Sequence, residues 1–306
     1  MLQDIIHPRM DPKSSPAQLL QDKTAVITGA TGGIGLATAI AFARAGALVL
    51  GTGRDPRRCN AAELQVRKAA PGAEVHYLAA DLSLQSGVRQ LAHQIPIELQ
   101  GLPLDILVNN AGIYASRFTQ TTDGIELTMA VNHLAPFLLT NELLAFLYAS
   151  PQGRVITVSS NSHYHTRLDL VNWNSPRGYH GLKAYKQTKL CNILFTCELA
   201  RRMRGTRVRA FAVDPGLVNT AIGMKSTDGL ARLVWQLRRR QGTSPQVPAR
   251  TILYLAAEAG LQKTTEVYWR DCRPKAPSHE ALDLLIAGRL WEFSARLCGL
   301  APAARK

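Results

Sequence analysis

Thr24-Ala25-Val26-Ile27-Thr28-Gly29-Ala30-Thr31-Gly32-Gly33-Ile34-Gly35 is the stretch that decides the fold. The β-branched residues at 24, 26, 27 and 28 favour a short extended run. That run passes directly into glycines, and residues 36–45 then carry Ala and Leu at helical spacing. A strand, a glycine-rich turn and a helix in this order make an anion cradle. The turn needs backbone angles that glycine adopts without strain, and the helix offers free amides and its positive dipole end. The spacing T-G-x-x-x-G-x-G points to a dinucleotide pyrophosphate, with Gly29, Thr31, Gly32, Gly33, Ile34 and Gly35 around it.

Outward from this stretch, short apolar runs at 48–52, 74–79, 106–108, 154–159, 208–213 and 264–269 alternate with helical stretches such as 61–70, 88–100 and 126–147. The alternation implies an α/β fold: a single Rossmann-type, doubly wound parallel sheet of about seven strands with helices on both faces. Residues 1–22, broken by Asp4, Pro8, Asp11, Pro12 and Pro16, read as an N-terminal arm before one catalytic domain at 23–306. Two stretches break the rhythm. Residues 161–183 are rich in turn formers, and 217–247 contain an amphipathic piece at 230–240. Ligands of open sheets bind beyond the carboxyl ends of the strands, so both stretches are expected to wall a substrate cleft, with 217–247 as a lid. Residues 278–306 are expected to form a C-terminal helical segment, its last helix at 281–297.

Composition narrows the function classes. A hydrophobic share of 46% excludes a disordered chain. No apolar run approaches the roughly 18–20 residues of a membrane helix; the longest, 138–148, is interrupted by Asn141 and Glu142. Five cysteines without a C-x-x-C pair argue against a disulfide framework or zinc ribbon, so no metal is expected and a reducing, cytoplasmic setting fits. The net charge of +14 would suit a polyanion or an anionic membrane surface, but it is spread along the chain. No nucleic-acid partner is expected, since no reading motif accompanies the charge. Peripheral membrane contact through 230–240 stays open, as does the choice between monomer and homo-oligomer.

The end of the second run, Thr52-Gly53-Arg54-Asp55-Pro56, bears on which dinucleotide is held. An acidic side chain here bonds the adenosine ribose, whereas a basic one accommodates a 2′-phosphate. Asp55 lies at the right distance for the first role, yet Asp before Pro also starts a helix, with Asp55 as N-cap and Pro56 in the first turn. On the capping reading Arg54 meets the phosphate, with Arg57 or Arg58 as helper. The expected cofactor is then NADP(H), with NAD(H) as the alternative.

Tyr185 and Lys189 are four residues apart and share a helical face. A free phenol titrates near 10 and is a poor base at neutrality. An ammonium ~5 Å away at an effective dielectric of ~20 contributes about 3 kcal/mol, roughly two pKa units. A tyrosine so perturbed can exchange a proton with a substrate oxygen.

Together, TGATGGIG (28–35), NNAG (109–112), Ser159-Ser160, YKQTK (185–189) and DPGLVNT (214–220) resemble the short-chain dehydrogenase/reductase family. KLCNILFTCELARRM (189–203) and RLWEFSARLCGL (289–300) look like its retinol-dehydrogenase-like branch, which shares the long connection between Ser160 and Tyr185. The resemblance implies a catalytic tetrad. Tyr185 would be the acid/base, and Lys189 would lower its pKa and hold the nicotinamide ribose. Ser160, the second serine of its pair, would bond the substrate oxygen, and Asn132 would fix a water. Asp81 and Leu82 at the third strand's end would contact adenine, and Asn110, Ala111 and Gly112 the adenosine side. Pro215, Gly216, Val218 and Thr220 would embrace the nicotinamide and phosphate. The activity implied is NADP(H)-dependent hydride transfer to or from the carbonyl or alcohol carbon of an apolar small molecule. A dinucleotide-binding scaffold without turnover is the alternative, disfavoured by Tyr185 and Lys189. Asn109 reads either as a turn cap or as a site residue. His163 and His165 read as solvated loop residues, and Cys191 and Cys197 as apolar packers. Tyr114, Phe118, Trp173 and Tyr179 are candidates to line the cleft.

Overall fold

The computed structural model describes residues 18–219 and 242–300. Most of the expected arm, Thr220 and the amphipathic piece at 230–240 lie outside the described residues. The chain runs β1 (Thr24–Ile27), α1 (Gly33–Arg44), β2 (Leu48–Gly53), α2 (Pro56–Ala69), β3 (Val75–Ala79), α3 (Gln85–Glu98) and β4 (Ile106–Asn109). A second half follows with α4 (Leu127–Met129), α5 (Ala135–Glu142), α6 (Leu144–Ala149), β5 (Arg154–Val158), α7 (Gly181–Arg202) and β6 (Arg209–Val213). Then come α8 (Gln246–Ala257), β7 (Tyr268–Arg270), β8 (Arg273–Pro274), α9 (His279–Leu282) and α10 (Leu284–Leu297).

The sheet order is β3-β2-β1-β4-β5-β6-β7-β8. β1 to β7 pair in parallel and β8 returns antiparallel on β7. The connection from β3 crosses back to place β4 beside β1, so the winding reverses between those two strands. Crossovers then diverge on either side, and a crevice opens above their carboxyl ends. Buried side chains of α1, α2 and α8 fill one face of the sheet, with Phe42, Val66, Ile252 and Leu255 among them. Those of α3, α5, α7 and α10 fill the other, including Leu91, Phe137, Phe195 and Leu290.

Four elements differ from expectation. The run at 264–269 shrinks to Tyr268–Arg270, because the Thr264 hydroxyl accepts from the Glu266 amide and turns the chain first. β8 is an eighth strand, joined to β7 by Asp271 and Cys272, both at positive φ (50 and 59). Such a primed turn is usually signalled by Asn-Gly or Asp-Gly, absent here. The helix expected at 126–147 is broken into α4, a π-turn at Ala130–Leu134, α5 and α6. Pro136 has no N–H with which to close an α-helical bond onto the Asn132 carbonyl, so the helix widens there.

The C-terminal helix likewise starts anew at Asp283, whose carboxylate accepts from the Leu285 and Ile286 amides. α10 packs on α5 and α7 through Trp291. Its ring lies 4.9 Å from Phe137 and 5.9 Å from Phe195, centroid to centroid, with the Arg202 guanidinium 4.3 Å away. Truncating it to alanine removes that packing, so Trp291→Ala should lower the unfolding free energy by about 3–5 kcal/mol, read from the midpoint and slope of a urea denaturation curve.

Candidate active site

Four neighbouring strands deliver the motifs to one edge of the sheet: β1 the glycine turn, β4 Asn110–Gly112, β5 Ser160, and β6 Pro215–Gly216. Gly29 and Gly33 take positive φ (66 and 55), which favours glycine. A Cβ at Gly35 would lie 2.4 Å from the Gly29 carbonyl oxygen and 2.5 Å from Asn110 Nδ2, so turn and helix meet without room for a side chain. Asn110 Nδ2 donates to the Thr28 carbonyl at 2.8 Å and to the Gly29 carbonyl at 3.3 Å. Thr28 Oγ1 accepts from the Asn110 and Ala111 amides, each at 3.0 Å. Asn110 and Ala111 thus hold the turn itself, and the Asn110 amide is committed to it. The N-terminus of α1 has no side-chain cap and no acid in its first turn, which fits a pyrophosphate. Thr31 and Gly32 cross its mouth, and Ile34 packs into the core below.

Asp55 caps α2, accepting from the Arg57 amide at 2.8 Å and the Arg58 amide at 3.3 Å. Arg54 beside it is exposed. The Arg58 guanidinium reaches back to the Thr31 carbonyl at 3.3 Å and overhangs Gly32. Asp81 follows β3 and accepts from the Ser83 amide and hydroxyl at 3.0 and 2.8 Å, which starts the turn into α3. The Leu82 side chain packs against the core.

The two serines after β5 separate cleanly. Ser159 is buried and donates to the Lys189 carbonyl at 2.7 Å. The Ser160 side chain instead stands close enough to the Tyr185 phenol to lower its pKa, while its hydroxyl donates to the Ser162 hydroxyl at 3.1 Å. Tyr185 and Lys189 are both buried on α7, with Lys189 Nζ 5.5 Å from the Tyr185 ring centroid and 3.1 Å from the Val158 carbonyl it donates to. Asn132 lies in the π-turn. Its Oδ1 accepts from the Ile113 amide at 2.8 Å, and its Nδ2 donates to the Ile113 carbonyl at 2.9 Å and the Thr188 hydroxyl at 3.1 Å. Its side chain thus ties the segment after Gly112 to α7.

The expectation for the phenol needs correction. Lys189 Nζ lies 5.5 Å from the Tyr185 ring centroid, but burial dominates both groups. It pushes the Tyr185 phenol up to about 12, against the nearby Ser160 side chain that lowers it, and pushes the Lys189 ammonium down to about 8. Each group loses hydration when charged, and that penalty favours both neutral forms.

Other candidates find structural places. Asn109 is buried and donates to the Thr140 hydroxyl at 3.0 Å, a core contact. His165 is exposed, but His163 is completely buried, contrary to the solvated reading. Cys191 is buried in the core, and Cys197 is half-buried against it. Tyr114 lies edge-on to Tyr185 at 6.0 Å, whereas Trp173 turns to Phe293 of α10 at 5.5 Å. Tyr179 donates to Glu126 at 2.9 Å and stands edge-on to Phe118 at 5.5 Å.

One group escaped the sequence reading as a unit. The buried Asp214 carboxylate accepts from the Asn161 amide at 3.2 Å and the Gly216 amide at 3.0 Å. It also pairs with Lys275 at 2.6 Å and Arg270 at 3.6 Å. Asp214 therefore fixes the start of the Pro215–Gly216 loop, Gly216 taking φ 70, and joins it to the loop carrying Ser160. Val218 bridges to Thr243. The Asp-Pro-Gly run was the visible signal, but its partners lie some sixty residues further along the chain.

No helix among the described residues is long and apolar enough to cross a membrane. The family model for short chain dehydrogenases matches residues 23–231. Retinol dehydrogenase 13 of Homo sapiens is 38% identical over 295 residues, spanning 93% of this chain and 87% of its own. A solved protein of Mycobacterium paratuberculosis shares 33% identity and superimposes with a TM-score of 0.71, over 93% of this chain and 96% of that one. A metagenomic short-chain oxidoreductase solved in complex with NADP shares 25% identity, with a TM-score of 0.62 over 85% of this chain and all (100%) of that one. With its glycine cradle, its Ser160–Tyr185–Lys189 cluster and these relatives, the chain belongs to the short-chain dehydrogenase/reductase family, among retinol-dehydrogenase-like members, as an oxidoreductase of CH–OH groups that uses a nicotinamide dinucleotide.

Proposed function

We propose that the protein is an NADP(H)-dependent reductase of apolar aldehydes and ketones, working in reverse as an alcohol dehydrogenase. The observation that carries the reading is the Ser160 hydroxyl beside the buried Tyr185 phenol, with Lys189 on the same helical face. When bound, the dinucleotide supplies or takes up the hydride. Ser160 and Tyr185 offer two hydroxyls to one substrate oxygen, and Tyr185 releases its proton to that oxygen as carbonyl becomes alcohol. Lys189 stabilises the phenolate left behind. The π-turn supports Asn132 as the residue that fixes the replenishing water, since Pro136 cannot occupy its carbonyl in the α-helical way.

Three features support NADP(H). Asp55 is engaged as a cap, Arg54 stands exposed at the end of β2, and Arg58 lies over the glycine turn. The NADP complex of the metagenomic relative agrees with this choice. Asp81, Leu82 and Gly112 fall on the adenosine side, and Pro215, Gly216 and Val218 on the nicotinamide side. An apolar substrate is supported by Tyr114 beside Tyr185 and by the retinol dehydrogenase name of a relative.

A screen of aliphatic, aromatic and retinoid carbonyls with NADPH and NADH, followed by nicotinamide absorbance, tests the reading. Tyr185→Phe should abolish turnover while dinucleotide affinity stays within about threefold; more than about a tenth of wild-type turnover would overturn the assignment. Because the phenol keeps its proton up to about 12, reduction should be flat across neutral pH, whereas oxidation should climb through the alkaline range. Arg54→Ala removes charge-assisted bonds worth roughly 1.5–3 kcal/mol each, so KM for NADPH should rise about 10- to 150-fold with KM for NADH little changed. An acidic residue at Gly53, which would favour NADH over NADPH, would force Thr31 to move, because a Cβ there would stand 2.3 Å from the Thr31 methyl. Equal weakening of both cofactors by Arg54→Ala would return the selection of dinucleotide to Asp55.

A further inference from the structure

His163 is a buried titratable group that none of the roles above uses. It closes the single 3-10 turn Asn161–His163 that follows Ser160, and its side chain is completely shielded from solvent. Nδ1 lies 2.8 Å from the Ser160 carbonyl oxygen, and Nε2 lies 3.1 Å from the Ser278 backbone nitrogen. A carbonyl only accepts and an amide only donates, so these partners select the neutral ring with its proton on Nδ1. The ring is wedged between Tyr164 and Tyr268, at centroid distances of 4.1 and 5.3 Å. It spans from the catalytic serine to the segment beyond β8.

The Ser160 hydroxyl is held within its own turn. The Ser162 amide donates to it at 3.1 Å, and the Ser162 hydroxyl stands at the same distance. The orientation of the Ser160 peptide thus decides where this hydroxyl stands relative to Tyr185. We infer that His163 is a positioning residue for the reaction: by anchoring the Ser160 carbonyl to the Ser278 amide, it keeps the turn that carries the Ser160 hydroxyl in place beside the Tyr185 phenol. The inference rests on the role proposed for Ser160.

The surroundings keep the ring in the required form. Asp214 after β6, Lys275 after β8, Tyr268 on β7 and the adjacent Tyr164 are the titratable groups around it. Burial and Lys275 lower its pKa, the Ser160 carbonyl and Asp214 raise it, and the balance falls below the ordinary histidine value. A protonated ring would turn a second N–H against the Ser278 amide, so the anchor is complete only in the neutral ring.

The test is a set of full-length variants assayed with NADPH and the best carbonyl of the screen, with near-UV circular dichroism and dinucleotide affinity as folding controls. His163→Phe should lower kcat about tenfold or more, with dinucleotide affinity within about threefold. In a Ser160→Ala background the same change should cost less than about twofold, because nothing remains to be positioned. The limb of the oxidation pH profile that reports Tyr185 should move upward in both His163→Phe and Ser160→Ala. His163→Asn, whose amide nitrogen reproduces the Nδ1 donor, should keep more activity than His163→Gln, whose amide reaches only toward Ser278. Equal losses with and without the Ser160 hydroxyl, or unchanged kcat in His163→Phe, would overturn the inference. If His163→Phe fails to fold, equal activities of the Asn and Gln variants would overturn it instead. Wild-type turnover in Ser160→Ala would sink the role of Ser160 itself, a result separable from any effect at His163.

Discussion

The hydrogen-bond clamp between Thr28 and Asn110 is the constraint on which the rest of the site depends. It joins the ends of the two strands between which the winding reverses, where no covalent neighbour holds them together. The Thr28 hydroxyl accepts two amides from the β4 end, while the Asn110 side chain donates back to two carbonyls of the glycine turn. The missing Cβ of Gly35 lets these groups approach. With the turn seated, α1 points its uncapped amides into the crevice, and β5, paired to β4, places Ser160 one strand further along. The glycine turn and Ser160 therefore share one rigid frame, and hydride transfer requires two reactants held in such fixed relation.

That frame has an electrostatic consequence. Tyr185 and Lys189 lie deep enough that burial drives each toward its neutral form. A phenol that stays protonated at neutrality is a ready acid and a reluctant base. Nearness to the Ser160 side chain is the local influence that opposes burial and lowers the pKa of the phenol.

What the sequence made legible was local. The glycine turn, the Asp55-Pro56 helix start and the Tyr185–Lys189 pair each depend on residues within a few positions, so spacing alone exposes them. The sheet followed from the alternation of such local units. The π-turn was hidden because it needs Pro136 to be seen as the missing partner of Asn132, a relation across one helical turn that leaves the apolar pattern intact. The Asp214 cluster and the His163 anchor were hidden for a stronger reason. Lys275 and Ser278 lie far along the chain, and neither carries a motif. A histidine in a stretch rich in turn formers looks solvated until the segment that covers it is known.

The long connection after Ser160 and the C-terminal segment are therefore best understood as one structure. His163 meets Ser278, the Tyr164 hydroxyl donates to the Ala276 carbonyl, the Leu168 amide meets Glu280, and Trp173 stands on Phe293. None of these contacts is local, and all involve side chains or backbone beyond β5 and β7. By contrast, the contacts that seat the cofactor cradle come from the turns directly after β1, β2 and β4. Compensating changes can therefore repack these two segments against each other while the contacts around the glycine turn stay untouched. The same pairing also carries the His163 bridge, so a change in the C-terminal segment that displaces Ser278 reaches the Ser160 peptide through a single buried ring.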